Sequence, residues 1–428
     1  MDNNDLRPSA QSGDVSYVLL AHGARNRRLI YLGRLIRSFN TAFLTIVFPL
    51  YLSSMGYSPA RIGLVLTLGG LLSAGSVAII WRVSLKYDAR IALVLVATLA
   101  VGTSAALILT SSVWVVVIAN GMGGIGRGGG AGSGGGWGPV FAAEQPLLAS
   151  FSGQRSRNRS FANLNLIGAL GAALGSTVTW VPTALHSDGH SWEFSYRSVF
   201  LVAALLGLGC VAAAWRIGTP ETAVVPPSSG ARRRGEFGVP RGWLVRRVAL
   251  LNLLNGFGGG FTGPLLVYWF YVKFGVGVGE LGTLFLVVNG LSVVGFALSA
   301  GLASRLGDIY AVVVTRIASL VCVAGMLIPS GVGMAGLAFA LSQLFNSLGM
   351  PVRQSYPMRI AHDTDRDSIA AAGSFTDQVA LSASPVLGGV LMERVVDIPI
   401  VGWLAATLAN TVAYYIAFRR RPEGGRGR

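Results

Sequence analysis

Charge is scarce in this chain. Only 12% of its 428 residues are Asp, Glu, Lys or Arg, against about 25% in soluble domains. Cysteine is nearly absent as well: Cys210 and Cys322 both lie in apolar runs, which excludes a disulfide framework and a cysteine metal site. Two lysines, Lys86 and Lys273, stand beside thirty-two arginines, a bias of composition rather than of chemistry. No G-x-x-x-x-G-K occurs, so the chain has no phosphate-binding loop of that kind. What is present is apolar: 52% of the residues are hydrophobic, gathered in long runs. That combination describes a polytopic membrane protein.

A helix needs roughly 20 mainly apolar residues to cross about 30 Å of hydrocarbon. The sequence predicts twelve spans, near 29–53, 60–80, 91–110, 113–143, 160–182, 197–216, 247–271, 280–302, 309–330, 332–351, 368–392 and 398–418. The first follows Arg25, Arg27 and Arg28 and is too long for a signal-peptide core, so it is expected to stay as a membrane helix. The fold class expected is all-α.

Lys and Arg concentrate in the cytoplasmic loops of membrane proteins. With the N-terminus placed inside, inside segments hold 26 of these residues and outside segments four. Both termini are therefore expected in the cytoplasm, and the net charge of +16 is a topology signal rather than a nucleic-acid footprint. The longest inside loop, rich in Pro, Ser, Gly and Arg, reads as a linker. It divides the chain into a cytoplasmic tail (1–28), a six-helix bundle (29–216), the linker (217–246), a second six-helix bundle (247–418) and a basic tail (419–428).

The halves repeat each other weakly. "RIGLVLTLGGLLSAGSVAIIWRVSLKYDAR" from Arg61 aligns without gaps, at an offset of 219, with "ELGTLFLVVNGLSVVGFALSAGLASRLGDI" from Glu280. Gly63 pairs with Gly282, Ser73 with Ser292 and Lys86 with Arg305. Six plus six spans with an internal repeat describe pseudo-symmetric halves of a transporter. In these features the chain resembles the major facilitator superfamily over nearly its whole length. Members carry a G-x-L-A-D-R-x-G-R-R loop between helices two and three, echoed between helices eight and nine. "AGLASRLGD" keeps the second copy with Arg305 and Gly307, while "WRVSLKYDAR" keeps only Lys86 and Arg90 of the first. The resemblance implies that these four residues serve gating. Proton-coupled exporters of the superfamily carry an arginine in helix four, where this chain has Asn120, which is taken as a cavity candidate.

"GMGGIGRGGGAGSGGGWG", residues 121–138, holds twelve glycines in eighteen positions. Its G-x-G-x-x-G lacks the strand-turn-helix unit that dinucleotide binding needs. Two ladders at four-residue spacing say more: Gly124, Gly128, Gly132, Gly136 and Gly126, Gly130, Gly134, Gly138. They lie on nearly opposite sides of a helix, where small residues let neighbouring membrane helices approach. The expected element is a tightly packed fourth helix, with a local break as the alternative.

Ionisable residues inside membrane segments are costly and point to function. Arg34, Arg37 and Asn40 share one side of helix one, and at an offset of 218 the two arginines fall on Asn252 and Asn255 of helix seven. The resemblance places helices one, four, seven and ten around a central cavity; the alternative for the arginines is to snorkel to the headgroups. Arg127 in helix four is deeper. Glu144 is expected to pair with Arg127 or a loop arginine, with proton coupling as its other role. Asp377 is the candidate titrating group. Tyr268 and Trp269 in helix seven and Gln343 and Asn346 in helix ten are further cavity candidates, with packing as the competing role. In the loop "HSDGHSWEF", His186, Asp188, His190 and Glu193 are the candidate metal ligands.

These residues predict a secondary transporter of the inner membrane, not an enzyme and without a cofactor, moving a small anionic or zwitterionic solute by ion- or proton-coupled alternating access, with export favoured. Its expected partners are the solute and the lipid bilayer. A metal-ion transporter, for example of iron, and a non-transporting scaffold or sensor on the same fold are the alternatives.

Overall fold

Local signals set the helix ends. The computed structural model describes residues 10–125, 139–152, 157–218, 243–328, 331–360 and 366–419. In it α1 (Ala10–Ser54) contains the first expected span and reaches back into the expected tail. Ser58 caps α2 (Pro59–Lys86) by accepting from the Arg61 amide, with Pro59 at the first helical position, where its missing N–H costs nothing. Asp88 does the same for α3 (Ala89–Leu109) through the Arg90 amide. Then come α4 (Val113–Met122) and α5 (Pro139–Ser150). Next, α6 (Arg157–Gly175) runs through a 3-10 turn, Ser176–Thr179, into α7 (Trp180–Ser187), and α8 (Trp192–Trp215) closes the first half. The second half holds α9 (Trp243–Phe274), α10 (Val278–Leu306), α11 (Asp308–Gly325), α12 (Val332–Ile360), α13 (Arg366–Met392) and α14 (Ile398–Phe418).

Among the described residues there is no strand, and nine helical stretches are long and apolar enough to cross a membrane. The other expected spans fall on α9, on α13 and on the pair α4 and α5, which flank 126–138. Leu201, Leu205 and Leu208 lie on the outside of α8 and are about half exposed, as a lipid-facing stripe is.

Gly307 joins α10 to α11 with φ +77°, a conformation that costs an L-residue roughly 1–2 kcal/mol. Gly307→Ala is expected to lower the unfolding temperature, whereas Gly301→Ala, with open space at its Cβ, stays neutral or stabilises. Equal effects in a thermal melt would refute the backbone argument.

In each half a long pair of helices packs against its neighbours: α1 on α6 and α8, and α13 on α9. Between the halves α2 packs on α13, α6 on α10 and α1 on α9. The hydrophobic cores are not symmetric from end to end. At the end remote from the termini one core spans both halves, joining Phe43 to Leu52 of α1 with Leu265 to Phe270 of α9 and residues of α2, α8, α10 and α12. At the terminal end each half has its own core, around Leu93 and Leu148 in the first and Val248 and Phe418 in the second. Hydrogen bonds between the halves follow the same pattern. The Ala60 amide donates to Glu393 at 3.2 Å, the Val386 amide to Thr67 at 3.0 Å and Trp180 Nε1 to Thr283 at 3.1 Å, all towards the remote end. Among the described residues the core shared by the two halves lies at that end.

Candidate functional site

One carboxylate holds two arginines of helix α1. Glu144 Oε2 accepts from Arg34 Nη1 at 3.1 Å and Oε1 from Arg37 Nη2 at 2.6 Å. Arg34 is fully buried and Glu144 is 1% exposed, while Arg37 keeps 19% of its side chain open. Fully buried against Glu144, Arg34 does not reach the headgroups to snorkel. Glu144 therefore pairs with helix one, not with a loop arginine; Arg127 lies outside the described residues. Two guanidiniums and one carboxylate leave a net charge of +1.

Arg37, Glu144 and Asn40 line a cavity of about 1240 Å³, counting its open mouth. Its walls come from α1, α2, α3, α4, α5 and α8, with Gln378 and Leu381 of α13 contributed by the other half. Ile30, Ala214 and Ile217 place its lower part near the terminal end. Most of the wall is apolar, with Ser73, Thr41 and Ser104 as the hydroxyls.

Helix α4 stops at Met122 for a local reason. Asn120, fully buried, donates from Nδ2 to the Ile125 carbonyl at 2.7 Å, and Gly124 adopts φ +69°. The break, not the continuous helix, is what forms here. Asn120 is thus a cap rather than a cavity group. Gly124 meets no neighbour within 4 Å of a built Cβ; it serves the left-handed turn and is not a packing rung. The rungs Gly126, Gly128, Gly130, Gly132, Gly134, Gly136 and Gly138 lie outside the described residues.

Close helix packing uses other glycines. Gly171 and Gly175 of α6 face the carbonyls of Leu35 and Phe39 in α1, and Gly256 and Gly260 of α9 face those of Asp377 and Leu381 in α13. Both pairs are G-x-x-x-G, a spacing legible in the sequence but outweighed there by the denser glycine stretch.

In the second half Asp377 is 3% exposed and accepts from Asn255 Nδ2 at 2.9 Å. Asn255 Oδ1 in turn accepts from Arg316 Nη2 of α11 at 2.8 Å. Asn255 relays a guanidinium to a carboxylate. Arg316 has no role assigned by the sequence analysis; an arginine inside "VVVTRIASLV" was the signal. Asn252 bonds the Val248 carbonyl of its own helix and packs on Gly373. Gln343 is buried and Asn346 half-buried, and neither lines the cavity described above.

Tyr268 and Trp269 sit in the core at the remote end instead of the cavity. Trp269 is fully buried and donates to Asp397, which also pairs with Lys273 at 2.6 Å. Aromatic bulk at the remote end outcompetes a place on the open path. Of the gating candidates, Arg90 bonds the Trp215 carbonyl of its own half, Lys86 lies over Tyr87, and Gly307 makes the turn described above; Arg305 is exposed.

The loop residues do not converge on a metal. His186 Nδ1 lies 2.9 Å from the His190 carbonyl and its ring stacks on Trp192, His190 packs on Phe194, and Glu193 pairs with Arg197 at 2.7 Å. Among the described residues no three His, Cys, Asp or Glu side chains gather. The two imidazoles are taken up by separate aromatic partners, Trp192 and Phe194, instead of meeting each other.

Fold and site together define a multi-pass membrane protein of two helical halves around a charged cavity. The chain belongs to the Major Facilitator Superfamily, whose model matches residues 30–385. It is similar in fold to the inward open xylose transporter XylE of E. coli, at TM-score 0.69, 13% identity, and coverage of 91% of this chain and 94% of that one. The nucleoside transporter NupG is similar at 0.64 and 12%, covering 94% and 99%. The human organic anion transporter MFSD10 is similar at 0.61 and 15%, covering 92% and 99%. No curated protein sequence matches significantly.

Proposed function

We propose that this protein is a secondary transporter that carries an organic anion or zwitterion by alternating access, held here open towards its termini. The observation that carries this reading is the Arg34–Arg37–Glu144 cluster. It puts a net positive charge on the wall of a cavity that lies mostly in the first half and reaches α13 of the second. Arg37 is its solute-facing member, because it alone of the three keeps appreciable exposure. A charge-assisted hydrogen bond to a solute carboxylate is stronger than a neutral one, and a cation would be repelled. The excess of Lys and Arg on the terminal side supports an inner-membrane topology with both termini in the cytoplasm.

Energy would come from a gradient of a solute or ion. Asp377, buried in the other half and coupled through Asn255 to Arg316, is the carboxylate proposed to carry the coupling proton. In proteoliposomes Arg37→Gln is expected to reduce organic-anion transport roughly 10-fold or more, the worth of one hydrogen bond to a charged group. Asp377→Asn should flatten its pH dependence. Anion transport indifferent to Arg37→Gln, or transport of cations in preference, would refute the reading.

A further inference from the structure

Two buried polar atoms of side chains that line the cavity have no hydrogen-bond partner. Arg37 Nε and Asn40 Oδ1 are buried without a hydrogen-bond partner, and both side chains line the cavity. The other ends of these side chains are engaged. Arg37 Nη2 donates to Glu144, and Asn40 Nδ2 donates to the Ala203 carbonyl at 2.8 Å. That second bond fixes the amide: turned over, Asn40 would set its oxygen against a carbonyl oxygen. Nε is a donor only and Oδ1 an acceptor only. The two residues stand three apart on α1, so their side chains emerge from one face about 5–6 Å apart.

An occupant that completes both must present an acceptor and, beside it, a donor. The acceptor faces a guanidinium in a cluster of net charge +1, which selects a single negative charge. Among the described residues the rest of the wall, with Leu44, Leu93, Val96, Met122 and Leu381, is mostly apolar, and Thr41, Ser73, Ser104 and Gln378 are its further polar side chains. A polyol would bury hydroxyls there unpaired.

We infer that the solute is an amphipathic monocarboxylate with a hydroxyl or N–H next to the carboxylate and an apolar body, a 2-hydroxy or N-acyl acid in chemical class. The carboxylate takes Arg37 Nε, the neighbouring O–H or N–H donates to Asn40 Oδ1, and the body lies against the apolar wall. This rests on the reading of the protein as an organic-anion carrier and narrows it.

Calorimetric titration of the protein in lipid nanodiscs, with empty discs subtracted, tests it with four probes: 2-hydroxyoctanoate, octanoate, octane-1,2-diol and gluconate. The wild type is expected to bind 2-hydroxyoctanoate roughly 10-fold more tightly than octanoate, the worth of one bond to a buried polar group, and both acids more tightly than the diol or gluconate. Asn40→Leu should bring 2-hydroxyoctanoate down to the affinity of octanoate, and Arg37→Gln should weaken both acids. Equal affinities of the two acids in the wild type, a preference that survives Asn40→Leu, or gluconate binding most tightly would overturn the inference while leaving an anion carrier standing. The diol binding as tightly as the acids would remove the anion-carrier reading itself.

Discussion

Glu144→Ala is expected to destabilise the protein by about 3–5 kcal/mol, the usual consequence of removing one partner from a buried ion pair. The reason is local. Arg34 is fully buried and Arg37 mostly so, and Glu144 pairs with both. Without it two guanidiniums face each other in a low-dielectric site, where repulsion and lost hydrogen bonds act together. A second variant separates charge from packing: Arg34→Met combined with Glu144→Gln removes one charge of each sign and should recover much of the loss. The pair therefore shows strong non-additivity in thermal or denaturant unfolding. Glu144→Ala melting like the wild type would mean that the arginines find other compensation and that the net charge assigned to the cavity is wrong.

Gly256→Leu should be as severe. A Cβ at Gly256 would collide with the Asp377 carbonyl, and one at Gly260 with Ser384 and the Leu381 carbonyl. The two carbonyls are backbone atoms of α13, which cannot swing aside as a flexible side chain does. Overpacking of a few carbons costs about 1–3 kcal/mol in soluble cores. A leucine here would also push α13, and with it Asp377, away from Asn255. Gly102→Leu is the control, since Gly102 is exposed on α3 with open space beside its Cβ. Size-exclusion profiles should show loss of the folded peak for Gly256→Leu and none for Gly102→Leu. Folded yields that match for both would refute the close-approach argument.

Much of the fold was legible because its causes are local. Span length and apolar content place most of the helices, and Ser58, Asp88 and Gly307 mark helix ends. The site was legible only in part. Arg34 and Arg37 announced themselves by being charged in an apolar run, and Asp377 likewise. Their partners did not, because the pairing of Arg37 with Glu144 spans 107 residues and that of Asn255 with Asp377 spans 122. Spacing along one helix says which face a side chain shares, not which helix meets it. Trp269 shows the same limit: an aromatic near a path and an aromatic in the core at the end of that path look alike in sequence. The glycines misled in a different way. Gly124 belongs to a regular ladder by position, yet the chain uses its freedom of φ, and the close approaches fall at the sparser pairs in α6 and α9.

The central claim is that the two halves pivot about the cavity between this arrangement and its reverse. Spin-label distances in nanodiscs test it directly, with one pair at the terminal end (Tyr87 and Leu306) and one at the remote end (Leu109 and Ile328), all exposed positions. Gly63 faces the Pro385 carbonyl across the remote end, so Gly63→Trp drives a wedge between α2 and α13 without any solute. Pivoting halves predict that the wedge lengthens the Leu109–Ile328 distance and, in the same molecules, shortens the Tyr87–Leu306 distance. A remote end that opens while the terminal distance stays fixed or lengthens would contradict alternating access in this chain.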